Sequence, residues 1–391
     1  MKKIAILDHA THLGGGEKVL ITLIENLDKS IYDITVLVTE NGQFTEELDR
    51  KHIKYKVIST NSKMLSIKRG NKLSFINKAK IMLYTLKYVR DISQYVRSEE
   101  FKLVYTNSMK AHIYGSLVSW YCNIPLVWRL HDFISKDNFN TFTRKVFIKF
   151  ANIFPNRILT VSNSVRNSML ENCVKSNKLQ TIYNGLPYEQ IKTDKSTYLL
   201  KYNIENNKKI IGIVGWLIPW KGQDVFIKAA KEVINKYNDV HFLIVGGPLK
   251  DSKEFEQELF NYIKRYNIES YFTFTGHVSD VKNILAFMDI SVHCSKLPDP
   301  LPTVILESML SNTPVIGVNL GGVPEIINNN VSGSLFDNGD YNMLSDVILN
   351  LLSDVSKCRK YVNESEKILK EKFSIEAYVK NHIDVFNEIM G

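Results

Sequence analysis

His293 to Glu325 reads HCSKLPDPLPTVILESMLSNTPVIGVNLGGVPE, which divides into a strand end, a proline-pinned loop, a short helix, a second strand and a glycine turn. Pro298, Pro300 and Pro302 bar Lys296 to Thr303 from a helix interior or a central strand, so that segment is loop. From Thr303 the pattern turns helical, with Val304, Leu306, Met309 and Leu310 available for burial, until Pro314 breaks it before the strand Val315 to Val318. Thr303 and Val304 therefore offer backbone N–H groups at a helix start, a natural seat for a phosphate. Glu307 lies one turn further along the same face. A carboxylate beside a phosphate is unfavourable unless it binds something else, and ribose hydroxyls suit it. Asp299 stands at the loop mouth, eight residues before Glu307.

Upstream, the same grammar repeats. Ile210 to Val214 reads as a strand, the turn Gly215-Trp216-Leu217-Ile218-Pro219-Trp220-Lys221-Gly222 follows, and Gln223 to Val233 is helical. Lys221 stands at the loop–helix junction, where an ammonium can meet a diphosphate as a point charge. His241 to Val245 and Tyr271 to Thr275 are further strands, the second leading into Gly276-His277-Val278. In the first half, Lys2 to Asp8 is a strand, Gly14, Gly15 and Gly16 make a flexible turn, and helical spacing runs from Glu17. Further strands are read at 33–39, 54–59, 103–107, 126–131 and 158–162. His131 ends one of them, and Arg129, two residues earlier, points to the same side.

This alternation predicts an α/β protein of parallel, doubly wound sheets. Ligands in such sheets sit at the carboxyl ends of the strands. The Gly14 turn, His131, Lys221 and the Asp299 loop all follow strands, so two facing domains would bring them into one cleft. A chain of 391 residues exceeds one typical core, and the polar segment 188–209 reads as the linker between halves.

Composition is that of a soluble globular protein, 44% hydrophobic and 23% charged. Cys122, Cys173, Cys294 and Cys358 lack metal-type spacing, which fits buried thiols in a reducing compartment. The N-terminus runs straight into a strand-like segment instead of a signal peptide, and no run of about 18 apolar residues occurs, so a cytoplasmic protein is expected. Net charge is +9, but residues 1–190 hold 28 Lys and Arg against 16 Asp and Glu, whereas the remainder holds 22 against 25. The basic half should face something anionic. Between Asn61 and Arg90 there are eight basic residues and no acidic one, interleaved with apolar positions. Such a helix can lie on an anionic membrane surface through residues 63–90, or be a solvated face over core. No nucleic-acid module is recognisable, so nucleic-acid binding is not expected.

The Asp299-x7-Glu307 spacing, followed by TPVIGVNLGGVPEII, resembles the E-x7-E donor-sugar motif of family 4 glycosyltransferases. Gly14-Gly15-Gly16-Glu17 is similar to the glycine turn after the first strand of that family, and Ile182-Tyr183-Asn184-Gly185 to its NG turn before the hinge. The resemblance implies a GT-B fold of two facing Rossmann-like domains with a cleft between them. They would cover 1–187 (acceptor side, with a C-terminal helix near 374–391 packing back) and 188–373 (nucleotide-sugar side). It implies a retaining glycosyltransferase that moves a sugar from a UDP- or GDP-sugar to a saccharide or lipid-linked saccharide acceptor in cell-surface polysaccharide synthesis. The place would be the inner face of a bacterial cytoplasmic membrane, with no metal.

By the same resemblance Glu307 binds ribose, Lys221 the diphosphate, Asp299 donor-sugar hydroxyls and His131 the transferred sugar. Amides of Gly14, Gly15, Gly16, Thr303 and Val304 face the leaving diphosphate, and the loop at His277 and Val278 cups the base. Two departures stand out. Asp299 is one methylene shorter than the usual Glu, and Trp216 stands where the family carries an Arg, a loss that Arg129 could make good. These keep open a non-catalytic GT-B protein that binds a sugar or partner and assists another transferase. A sugar epimerase of this fold would need acids placed for proton abstraction, and none are evident.

Overall fold

The computed structural model describes residues 1–59, 75–135, 140–187, 191, 194–249 and 252–391, leaving aside the side chains of 75–82. It forms two compact units, Met1–Gly185 with Ile375–Gly391, and Leu186–Ser374.

The first unit holds β1 (Lys2–Leu7), β2 (Tyr32–Val38), β3 (Tyr55–Val57), β4 (Leu103–Thr106), β5 (Leu126–Leu130), β6 (Arg157–Thr160) and β7 (Leu179–Thr181). They pair in the order β3-β2-β1-β4-β5-β6-β7, and every pair is parallel. All five residues of β5 are buried, as are all four of β4. Both faces of this sheet are therefore covered, which is why its strands read as apolar runs without alternation. The helix Ile375–Met390 follows the second unit in sequence but packs into the first. Its Tyr378, Val385 and Phe386 join the core of Ile4, Leu20, Leu23 and Tyr105, and Tyr378 donates its hydroxyl to Val19 O at 3.4 Å.

The second unit holds β8 (Lys209–Val214), β9 (Val240–Val245), β10 (Phe272–Gly276), β11 (Ile290–His293), β12 (Val315–Val318) and β13 (Ser334–Phe336). Their order is β10-β9-β8-β11-β12-β13, again all parallel. Winding reverses between β1 and β4 in one unit and between β8 and β11 in the other. Those are the points where crossovers diverge and a crevice opens at the carboxyl ends.

The strand Val315–Val318 and the helix Thr303–Leu310 lie where the prolines placed them. The turn expected to become helical at Glu17 does so at Gly15, because a first turn has no apolar periodicity to announce it. Residues 63–74 of the basic segment 63–90 lie outside the described residues. Its visible part belongs to the helix Phe75–Ser98, with Leu83 and Leu86 exposed. Among the described residues no helix is long and apolar enough to cross a membrane. The four cysteines are unpaired thiols.

Candidate active site

In the second unit the site is assembled by loops laced across the β8/β11 switch point. Lys221 lies in a single turn after β8, and the next residue, Gly222, has a φ of 76°. A Cβ on Gly222 would lie 2.0 Å from the Cys294 carbonyl oxygen, so only glycine lets the two loops close. Lys296 N then donates to Trp220 O at 2.7 Å. This lacing delivers the Lys221 ammonium to Asp299, with Nζ donating to Oδ2 at 2.8 Å. His293 Nε2 stands 3.6 Å from the same oxygen and 3.1 Å from Ser295 Oγ.

The electrostatics follow from that geometry. Burial alone would raise the Asp299 pKa, but the His293 contact and the Lys221 charge outweigh it and hold the carboxyl well below the usual range. Burial pushes His293 down while Asp299 pulls the other way, and the net effect is downward. The cluster at pH 7 is therefore an ionised aspartate beside a neutral imidazole, with Lys221 Nζ bonded to the aspartate. The side chains of Lys221 and Asp299 retain only 19% and 11% exposure, so solvent screens them weakly.

Thr303 and Val304 begin the helix Thr303–Leu310 immediately after Pro302. Val304 and Val278 turn their side chains against the core cluster of Ile210, Leu243 and Leu285. What they can offer a ligand is backbone. Glu307 is partly buried on the same short helix. Gly322 N donates to Asp299 O at 2.8 Å, so the glycine turn after β12 braces the Asp299 loop and does not present that amide. Trp216 and His277 stack with ring centroids 5.9 Å apart and planes 15° from parallel.

In the first unit the polar cluster sits past the ends of β1, β4 and β5, which are neighbours in the sheet. His131 Nε2 lies 2.9 Å from Asn107 Oδ1, and Asn107 Nδ2 donates to Asp8 Oδ2 at 2.8 Å. Burial, then the nearby positive charge of Arg129, drives the His131 pKa down to about 3, so its ring is neutral. The Gly14 turn packs onto this cluster, since a Cβ on Gly16 would touch the His131 ring at 3.5 Å.

Three expectations need correction here. The Gly14 amide is not an open anion seat, because it donates to Glu17 Oε2 at 2.9 Å and closes a capping pair. That carboxyl is itself perturbed, its pKa raised to about 7 by burial, Asp8 and Asp132. Arg129 cannot stand in for an arginine on the diphosphate. It is fully buried and spends its guanidinium on Ile182 O at 2.8 Å and Asn184 Oδ1 at 2.7 Å. Asn184 is thereby a structural partner of Arg129, itself 5% exposed, and not a ligand contact.

Asp8, Asn107, His293 and Ser295 were missed in the sequence. Each lies at or just past the end of a strand flanking a switch point, and that position was the available signal. Among the described residues no group of three or more His, Cys, Asp or Glu converges as metal ligands do.

Comparison with known proteins agrees with this layout. Residues 13–190 match the model described as Glycosyltransferase Family 4, and residues 194–368 match the one described as Glycosyl transferases group 1. The chain is 26% identical over 387 residues to UDP-Gal:alpha-D-GlcNAc-diphosphoundecaprenol alpha-1,3-galactosyltransferase of Escherichia coli, covering 94% of each chain. It is 22% identical to the capsular polysaccharide biosynthesis glycosyltransferase CapM of Staphylococcus aureus, covering 84% of this chain and 88% of that one. Among solved structures it superposes on Anabaena HepE in complex with UDP with a TM-score of 0.87 at 25% identity, over 99% of this chain and 100% of the other.

Proposed function

Since the chain belongs to the GT-B glycosyltransferases of family 4, we propose that it is a retaining enzyme of cell-surface polysaccharide synthesis. It moves a hexose from a nucleotide-sugar, UDP-linked in the first instance, to a hydroxyl of a saccharide or lipid-linked saccharide. The observation that carries this reading is the Lys221–Asp299 pair beside the helix start at Thr303. Relatives matched over nearly their whole length are named as transferases, one with a UDP-sugar donor and a lipid-diphosphate-linked acceptor, which disfavours the non-catalytic reading.

In this reading an incoming diphosphate competes with Asp299 for the Lys221 ammonium and accepts the amides of Thr303 and Val304. As the sugar–phosphate bond breaks, negative charge grows on the diphosphate, and donors already aimed there stabilise it without reorganising. Asp299, ionised and braced by Gly322 N, accepts hydroxyls of the sugar. Glu307 takes the ribose. His131, neutral and oriented by Asn107, contacts the transferred sugar, and Gly16 packs beside its ring. The basic segment 63–90 holds the enzyme on an anionic membrane surface where a lipid-linked acceptor resides.

A panel of nucleotide-sugars scored by thermal shift, wild type beside Glu307→Ala, tests the proposal. A donor at 100 times its dissociation constant adds about 2.7 kcal/mol of stability. One donor should respond, and the response should vanish in the variant. Silence of the wild type across UDP- and GDP-sugars would overturn the reading.

A further inference from the structure

We propose that Trp216 and His277 form a stacking platform for the nucleobase of the donor, so that Trp216 is a donor-binding residue. The inference rests on the reading above and adds a contact to the same site.

The pair is built across two loops that the sheet holds apart. Trp216 follows β8 and His277 follows β10, and β9 runs between them. β9 is followed by Gly246-Gly247, which have no side chains to keep the rings apart. Gly246 has a φ of 135°, and a Cβ there would lie 2.0 Å from Gly215 O, so no other residue fits. Both loops are tied to this glycine pair. Leu217 N donates to Gly247 O at 3.0 Å, and Gly246 N donates to Gly276 O at 3.0 Å. Gln223 Nε2 holds the Trp216 carbonyl at 2.9 Å. The indole is therefore positioned by three neighbouring strand ends although it is not core, being 47% exposed, and His277 is exposed as well.

A centroid separation of 5.9 Å with planes 15° apart is an offset stack, which leaves part of each ring face uncovered. A flat, half-exposed indole takes another flat ring, and a nucleobase is the ring available in a nucleoside diphosphate. The phosphate end is at hand. A Cβ on Gly215, next to Trp216, would lie 3.7 Å from Lys221 Cδ, so the cation's stem passes beside the platform. Stacking reads the π-face and not the hydrogen-bonding edge, so this contact adds affinity with little discrimination among bases.

Calorimetric titration of UDP, UMP and pyrophosphate into wild type, Trp216→Ala, Trp216→Phe and His277→Ala decides it. Trp216→Ala should weaken UDP and UMP by the same factor, on the order of 5- to 100-fold, and leave pyrophosphate unchanged. Trp216→Phe should keep most of the affinity, and His277→Ala should lose less than Trp216→Ala. UDP binding unaltered in Trp216→Ala overturns the platform while leaving the proposed function standing. A pyrophosphate loss equal to the UDP loss also overturns it, since the indole would then be shaping the phosphate seat. A wild type that binds none of the three overturns the platform and the function together.

Discussion

The β1/β4 and β8/β11 switch points occupy equivalent places in their sheets, yet their polar groups are held in different ways. Past β1 and β4, a neutral imidazole is joined through the Asn107 amide to Asp8, and the nearest arginine is spent on carbonyls and Asn184. Past β8 and β11, a lysine and an aspartate form a largely buried ion pair. A neutral relay suits an uncharged hydroxyl, whose hydrogen bonds need direction more than charge. An ion pair suits a ligand that brings charge of its own, because one member can change partner. One architecture thus provides two chemistries through what stands at the strand ends.

The sharpest way to break this contrast is to split the ion pair. Lys221→Ala leaves Asp299 buried without its cation, which should cost about 3–5 kcal/mol of stability in denaturant unfolding and lower kcat/KM by on the order of 100-fold or more. Lys221→Met combined with Asp299→Asn should recover most of that stability and none of the activity. Recovery of both would mean that the pair only supports the fold.

In the first unit, His131→Gln should lower kcat/KM on the order of 10-fold, because an amide can still meet Asn107 but does not reproduce the ring. Its pH signature is separate. The folded-state pKa of His131 is depressed to about 3, so its neutral form favours the folded state above pH 6.5, and that contribution is lost as pH falls through 6.5 toward 3. His131→Gln should therefore narrow its stability gap to wild type as pH drops in urea titrations. Asp299 behaves in the same direction. Its stabilising contribution is present above the ordinary carboxylate range and falls away only below it, so donor binding should show no Asp299 limb between pH 5 and 8.

The smallest effect concerns Glu17. Its raised pKa means that stability is lost as pH climbs from 4.5 through 7. Glu17→Gln keeps a carbonyl to accept the Gly14 amide but cannot ionise. It should match wild type at pH 4 and exceed it by about 1–2 kcal/mol at pH 8, after allowance for solvent screening. Equal curves at both pH values would show that burial, Asp8 and Asp132 do not raise the Glu17 pKa.

The sequence made the architecture legible because parallel strands covered on both faces are apolar runs, and the prolines at 298, 300, 302 and 314 left few alternatives for the helix and strand between them. Lys221 and Asp299 could be picked out one at a time, but their pairing could not. It depends on Gly222 meeting the Cys294 carbonyl, a contact between residues 72 apart that no local pattern encodes. Arg129 misled for a similar reason. Alternation placed it on the His131 side of β5, whereas its long side chain is drawn to the carbonyl of Ile182 and the amide of Asn184. Glu17 was visible as a capping residue from its spacing to Gly14, and that reading would have ruled out the Gly14 amide as an anion seat.

UDP binding by the second unit's ion pair is the property to measure first. Calorimetry of UDP on wild type beside the Lys221→Met, Asp299→Asn double variant, with folding checked by unfolding curves, measures that binding without the loss of stability that Lys221→Ala brings. Saturable binding by the wild type and a loss of at least about 10-fold in the folded double variant are expected. Equal affinity in the two proteins would contradict this and place the donor elsewhere.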